Sequence, residues 1–135
     1  MATIAKLAGS IALGQSISNP VNIGTNYVVG LVMPAAWTPA RMTVSVSTDN
    51  VAYNDLFQFD ADCTTASEFK FNVTPNAIVA VDPDKMLMAR YIKLRSGTRD
   101  EPVPQAALRL FYIITVNAVT VQQASVELAD ETDRN

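Results

Sequence analysis

Histidine is absent from this chain of 135 residues, and cysteine occurs once. Without histidine, no Ser-His or Cys-His pair can form for nucleophilic catalysis, and the commonest transition-metal ligand is missing. The single cysteine, Cys63, cannot make an internal disulfide, and we expect it to be a small buried or half-buried apolar residue. No GxxxxGK[ST] or GxGxxG phosphate-binding motif occurs either. The composition therefore predicts a protein that is not an enzyme and that needs no cofactor.

Charged residues are also scarce, at 17% of the chain against a usual value of about 25%. The net charge of −3 and the lack of a Lys/Arg cluster argue against binding to nucleic acid or to a membrane surface. No apolar run approaches the roughly 20 residues that a membrane span needs. The apolar fraction of 49% is ample for a core. With few charges to cover its outside, we expect part of the surface to be covered by another chain.

Two pairs of acidic residues, Asp60 with Asp62 and Asp82 with Asp84, are the only candidates for a metal site. Alternate carboxylates in a loop could hold a hard cation such as Ca²⁺, but such a site needs six to eight oxygens. The other interpretation is that these residues form turns, because short Asx side chains bond the nearby backbone. We expect turns and no metal ligand.

Alternating apolar and polar residues predict strands through most of the chain. In residues 42–47, Met42, Val44 and Val46 face one way and the intervening Thr and Ser residues face the other, which is typical of a half-buried strand. The predicted strands are 10–17, 27–33, 42–47, 53–59, 69–73, 77–81, 91–95 and 106–121. Helical spacing is limited to a short turn at 84–89. About eight short strands favour an antiparallel β-sandwich or jelly roll.

This pattern predicts one sandwich domain over residues 14–126. Residues 1–13 are mildly apolar but broken by Gly9 and Ser10, so we expect an N-terminal arm or edge strand rather than a signal peptide. Residues 127–135 form an acidic tail that we expect to be frayed. The predicted core residues, each on the apolar side of an alternating segment, are Val44, Val46, Phe71, Ile92, Leu94, Leu110 and Tyr112.

Four residues are candidates for contact with a partner. Tyr91, Lys93 and Arg95 alternate along one strand, and they form either a solvated face or a subunit contact, where Tyr and Arg are favoured. Trp37 lies between two prolines in a loop. It either plugs one end of the sandwich or inserts into a partner.

Two segments resemble discoidin (coagulation-factor C-type) domains. Residues 44–56, VSVSTDNVAYNDL, are similar to that family's strand, Ser-x-Asp-Gly turn and aromatic, with Asn50 in place of the usual Gly and Tyr53 in place of the usual Trp. Residues 89–95, ARYIKLR, are similar to a later strand of the family. The resemblance implies a discoidin-like jelly roll.

The sequence as a whole resembles those of small structural proteins of tailed phages. The resemblance is clearest in GQSISNPVNI (14–23), VGLVMPAAW (29–37) and YIKLRSGT (91–98). This resemblance implies a virion protein assembled in the host cytoplasm, most simply a capsid decoration or cement protein. Its expected partners are further copies of itself, as a homotrimer, and the major capsid protein. The alternative is a receptor- or carbohydrate-binding module on a tail or fibre, for which few loop aromatics are available.

Overall fold

The computed structural model describes residues 3–59 and 61–117. Its strands in chain order are β1 (Ile4–Ile11), β2 (Val21–Asn22), β3 (Tyr27–Val32), β4 (Met42–Ser47), β5 (Asn54–Asp55), β6 (Phe57–Phe59), β7 (Ala66–Glu68), β8 (Lys70–Phe71), β9 (Ile78–Ala80), β10 (Tyr91–Ser96) and β11 (Arg109–Val116). In this part of the chain the helical structure is a single 3-10 turn, Pro83–Met86, which overlaps the short turn predicted at 84–89. The prediction of an all-β, antiparallel fold is confirmed.

The strands form two main sheets and one hairpin. A four-stranded sheet has the order β1-β11-β3-β9, and a five-stranded sheet has the order β2-β10-β4-β5, with β8 also paired to β4. The strands β6 and β7 form a separate hairpin. Every pairing is antiparallel. Apolar side chains from both main sheets share one buried cluster, as in a β-sandwich.

The centre of the five-stranded sheet matches the sequence pattern. Strand β4 has the predicted bounds, and Val44, Ile92 and Leu94 are buried. Val46 and Phe71 are partly buried and pack against the same cluster. Five of the seven predicted core residues therefore contribute to the core.

The prediction is wrong for the other two, Leu110 and Tyr112 on β11. Their side chains are 59% and 39% exposed, whereas Phe111 and Ile113 are buried. The reason lies in the neighbouring strand, because Phe111 is paired with Gly9 of β1. A Cβ atom at Gly9 would lie 2.4 Å from the Phe111 ring, so the missing side chain makes room for the ring in the core.

The N-terminal segment is an edge strand. Residues 4–11 pair with β11 of the same chain, and the predicted strand over 10–17 is replaced by a loop after Ile11. Residues 118–121, the predicted end of the last strand, and the acidic tail 127–135 lie outside the described residues.

A buried glutamine fastens one end of the sandwich. The Gln105 side-chain carbonyl accepts hydrogen bonds from Thr38 N at 2.9 Å and from Arg109 Nε at 3.0 Å. Its amide donates to Ser96 Oγ at 2.7 Å. Gln105 is 1% exposed, so these bonds satisfy a group that would otherwise be costly to bury. They join the loop after β3 to the ends of β10 and β11.

Candidate interaction surfaces

The outer face of the four-stranded sheet is apolar, and we call it the apolar face. Its residues share one side of β1, β3, β9 and β11 according to the strand register. They are Ile4, Lys6, Ala8, Ser10, Tyr27, Gly30, Val32, Ile78, Ala80, Leu110, Tyr112, Ile114 and Val116. The most exposed large side chains are Ile78, Ile4 and Leu110, at 69%, 67% and 59%. The alternation in β11 predicts Leu110 in the core, and no sequence pattern singled out Ile4 or Ile78 as surface residues.

Lys6 is the one charged residue of the apolar face. Its ammonium lies 4.7 Å from the centre of the Tyr112 ring, in a cation–π contact across β1 and β11. With strands about 4.8 Å apart and about 3.4 Å per residue, the face covers roughly 400–500 Å². Exposed apolar patches of this size commonly mark contact sites.

The outer face of the five-stranded sheet differs, and we call it the polar face. The central strand β4 presents Thr43, Ser45 and Ser47 on this side, and all three are buried beneath longer neighbours. The opposing strand β10 presents the predicted contact residues Tyr91, Lys93 and Arg95 in register with them. Polar and charged groups therefore fill this face, where apolar groups fill the other.

The guanidinium of Arg95 forms ion pairs within its own chain. Its guanidinium bonds Asp55 Oδ1 at 2.7 Å and Glu68 Oε2 at 3.2 Å, and its side chain is 14% exposed. Glu68 also accepts a hydrogen bond from Arg99 N at 3.0 Å. These bonds hold the β6–β7 hairpin against β10, since Glu68 ends β7.

Lys93 and Tyr91 are half-buried, and Trp37 is buried. The Lys93 ammonium lies 4.2 Å from the centre of the Tyr53 ring. Trp37 is 8% exposed, and its indole N–H donates to Ala40 O at 3.3 Å. This burial of Trp37 is consistent with the first of its two predicted roles, in which the indole ring covers one end of the sandwich. A partner contact at Tyr91 and Lys93 stays a prediction.

The turn between β4 and β5 is held by side-chain oxygens that accept hydrogen bonds from its backbone N–H groups. Asp49 Oδ1 accepts hydrogen bonds from Val51 N at 2.9 Å and Ala52 N at 3.0 Å. Ser47 Oγ accepts from Asn50 N at 2.9 Å, and Asn50 has a positive φ of 63°. The Tyr53 hydroxyl donates to Asn50 Oδ1. This is the segment that resembles discoidin domains, and here Asn50 takes the left-handed conformation that Gly adopts readily.

Asp49 should make this turn sensitive to acid. The hydrogen bonds from Val51 N, Ala52 N and the Ser47 hydroxyl hold its pKa below the ordinary value of 3.8. The stabilisation is therefore present above about pH 4 and is lost as the pH falls through the lower pKa of the folded state. We expect Asp49→Asn to unfold at lower urea than the natural protein at pH 7, with the difference shrinking at pH 3.

The matched control for that change is Asp100→Asn. No hydrogen bond or ion pair of the Asp100 carboxylate occurs within residues 3–59 and 61–117. At pH 7 the urea midpoint should fall further below that of the natural protein for Asp49→Asn than for Asp100→Asn. Equal falls for the two variants at pH 7, or a fall for Asp49→Asn that is unchanged at pH 3, would contradict the role given to Asp49.

The acidic pairs act as turn formers where the structure describes them. Asp62 Oδ1 accepts from Thr64 N at 3.1 Å, and Asp82 Oδ1 accepts from Asp84 N at 3.0 Å. Asp60 lies outside the described residues. Among the described residues, no three His, Cys, Asp or Glu side chains are grouped to hold a metal ion.

Cys63 is exposed, so the expectation of a buried or half-buried thiol is wrong. It lies in a turn at a φ of 58°, next to the Asx turn of Asp62. A position of this kind at the end of a surface hairpin has no core to contact.

One cleft has a volume of about 480 Å³ and is open to solvent. Arg41 and Lys70 line it together with Asp100 and Glu101, so it carries charges of both signs. An adjoining cleft of about 370 Å³ shares Arg41 and Lys70. The lining residues alone do not select one class of ligand.

Comparison with known proteins does not assign the chain to a family. No family model, no curated protein and no solved structure matches it. The described residues contain no helix of the length and hydropathy that a membrane crossing requires.

Proposed function

We propose that this chain is a structural protein of a tailed-phage virion that decorates the outside of the head and stabilises the capsid lattice. The observation that carries the proposal is the apolar face, on which Ile4, Ile78 and Leu110 are largely exposed. A strand that is apolar on both sides, such as β11, is usually covered on both sides. The major capsid protein is the occupant that we propose for this face.

The contrast between the two outer faces supports a one-sided contact. On the polar face, Arg95 is paired within the chain and Lys93 lies over Tyr53. Its polar groups are thus supplied with partners or with water. On the apolar face Ile4, Ile78 and Leu110 are largely exposed, and covering them would remove apolar area from water at about 25 cal/mol per Å².

The sequence adds two supports. The segments at 14–23, 29–37 and 91–98 resemble structural proteins of tailed phages. The charged fraction of 17% is low for a chain that is free in solution on all sides. A homotrimer is the predicted assembly, and light scattering of the purified protein measures it directly.

Copy number in purified particles tests the proposal. Quantitative mass spectrometry of particles from the strain that encodes the chain should find hundreds of copies per particle, as the head surface provides. A dozen or fewer copies would instead place the protein on a tail or fibre and favour the receptor- or carbohydrate-binding alternative. Absence from the particles would overturn the virion assignment.

A pair of double variants tests the contact face. We expect Leu110→Ser with Tyr112→Ser to lower occupancy on particles at least tenfold, because it replaces exposed apolar contacts with hydroxyls. The matched control, Tyr91→Ser with Lys93→Ser, changes the polar face and should keep occupancy within about twofold. The opposite result would move the contact to the residues predicted from the sequence. Circular dichroism should show that both variants keep the β fold.

A further inference from the structure

Two adjoining clefts meet at a pair of cations on the polar face. Arg41, which precedes β4, and Lys70 of β8 line both the cleft of about 480 Å³ and the cleft of about 370 Å³. Lys70 is paired with Thr43 in the sheet, so its side chain lies on the polar face with that of Thr43. The polar and apolar faces are on opposite sides of the sandwich, so these clefts stay open to solvent when a partner covers the apolar face.

The four charged residues around the first cleft have no partner in the described part of the chain. Arg41 and Lys70 supply two cations, and Asp100 and Glu101 supply two carboxylates. All four side chains are exposed, and none of them takes part in an ion pair or a side-chain hydrogen bond among residues 3–59 and 61–117. Opposite charges therefore line one cleft without touching each other, and the space between them is open to a ligand.

A neighbouring cluster of charges behaves differently, because its members are paired. Arg95 lies 2.7 Å from Asp55 and 3.2 Å from Glu68, and Arg99 lies 3.5 Å from Asp55. Glu68 lines the second cleft, but its carboxylate is already bonded to Arg95. Arg99 is thus directed towards Asp55, and the two carboxylates that follow it in the chain are left without a cation.

The loop that carries these carboxylates is held in place by hydrogen bonds. Thr98 N donates to Glu101 O at 3.1 Å, and Glu101 N donates to the Thr98 hydroxyl at 3.1 Å. Gly97 N donates to Arg41 O at 2.7 Å, which joins the loop to the start of β4. The backbones that carry the opposite charges are therefore fixed relative to each other, and a site that is arranged in advance loses less freedom on binding.

We propose that this cleft binds a small zwitterion, a molecule of about the size of a dipeptide that carries one ammonium and one carboxylate group. Its carboxylate binds Arg41 and Lys70, and its ammonium binds Asp100 and Glu101. A volume of about 480 Å³ lies within the range of small-molecule sites. A ligand with a single charge meets two like charges as well as two opposite ones, so the arrangement favours a ligand that carries both signs.

Titration of the full chain with three related dipeptides tests the choice of a zwitterion. Alanyl-alanine carries both charges at pH 7, its N-acetyl form carries only the carboxylate, and its amide carries only the ammonium. Because each ion pair at an exposed site is weak, we expect a Kd on the order of 1 mM for alanyl-alanine. The two forms with a single charge should bind at least fivefold more weakly at the same ionic strength.

Backbone amide shifts in NMR spectra measure these Kd values, and the shifts should be largest at Gly97 and Thr98, which line the cleft. Equal Kd values for the three dipeptides would overturn the proposal. So would shifts confined to residues outside the cleft, or no binding of alanyl-alanine well above its expected Kd.

Two charge variants assign the two ends of the ligand. Lys70→Gln removes a carboxylate contact, so it should weaken the binding of alanyl-alanine and of its N-acetyl form at least threefold without weakening that of the amide. Asp100→Asn removes an ammonium contact, so it should weaken the binding of alanyl-alanine and of the amide without weakening that of the N-acetyl form. Loss of the same dipeptides in both variants would contradict the proposed orientation.

The matched control is Lys85→Gln, which changes the net charge as Lys70→Gln does. Lys85 is exposed on the 3-10 turn and lines neither cleft, so all three Kd values should stay unchanged. An equal loss of binding in Lys85→Gln would show that net charge acts at a distance and would overturn the site. These measurements use the purified protein, so their outcome is independent of the copy number in particles that tests the virion role.

Discussion

Replacing Phe111 with alanine should lower the free energy of unfolding by about 3–5 kcal/mol, because a large buried ring is lost and a cavity is left. Phe111 is 1% exposed and is one of the largest fully buried side chains of the described residues. It packs over Gly9, which has no side chain that could relax into the space. Urea unfolding followed by Trp37 fluorescence measures the change.

Tyr112→Ala is the matched control, one residue away on the opposite side of the same strand. Tyr112 is 39% exposed, and its loss removes the contact with Lys6, which is worth about 0.5–1 kcal/mol at an exposed site. We therefore expect a loss of about 1 kcal/mol or less. If Tyr112→Ala proved more costly than Phe111→Ala, β11 would face the other way and the apolar face would be part of the core.

The sequence predicts β4 and β10 well because each has one apolar and one mixed polar face. The two faces of β4 differ in character from Met42 to Ser47, so a single orientation buries the apolar residues. Leu94 and Ile92 follow from the same rule. In these strands the side-chain pattern alone decides which residues enter the core.

The same rule fails for β11 because both of its faces are apolar. The inward face carries the strand's polar residues Arg109 and Thr115, which favour an outward orientation in the sequence. In the structure Arg109 reaches Gln105 at the end of the sandwich. Thr115 is fully buried, and its hydroxyl has no hydrogen-bond partner among the described atoms. What decides the orientation is the space above Gly9, about a hundred residues away in the chain.

The candidate surfaces were less predictable than the fold. The apolar face depends on which side of β11 is exposed, and on the pairing of β1 with β11, which joins the two ends of the described chain. Neither relation has a local signal. The ion pairs of Arg95 with Asp55 and Glu68 likewise join residues 40 and 27 positions apart. Alternation in β10 identified Arg95 as outward-facing but could not show that its guanidinium is already occupied.

The second large effect is expected at Gly97, where alanine should lower the free energy of unfolding by about 2–5 kcal/mol. Gly97 has a φ of 89°, which is unfavourable for a residue with a Cβ atom. A Cβ would also lie 2.5 Å from Glu101 O and 2.7 Å from Val103 N. Both are backbone atoms, so no side chain can turn aside to relieve the overlap.

The backbone around Gly97 has little freedom to move. Its N–H donates to Arg41 O at 2.7 Å, and its carbonyl accepts from the Thr43 hydroxyl at 2.9 Å. Thr43 is fully buried, so displacing the carbonyl would leave its hydroxyl unpaired. A backbone shift at Gly97 that relieved the clash would therefore break hydrogen bonds between the ends of β4 and β10.

Gly14→Ala separates the two causes. Gly14 has a similar φ of 77°, but a Cβ there would meet no atom within 4 Å. The backbone conformation alone should cost about 1–2 kcal/mol at Gly14, and the excess at Gly97 measures the steric overlap. Equal losses in urea unfolding would show that the loop after β10 can open, and that the end of the sandwich is held by Gln105 rather than by the backbone at Gly97.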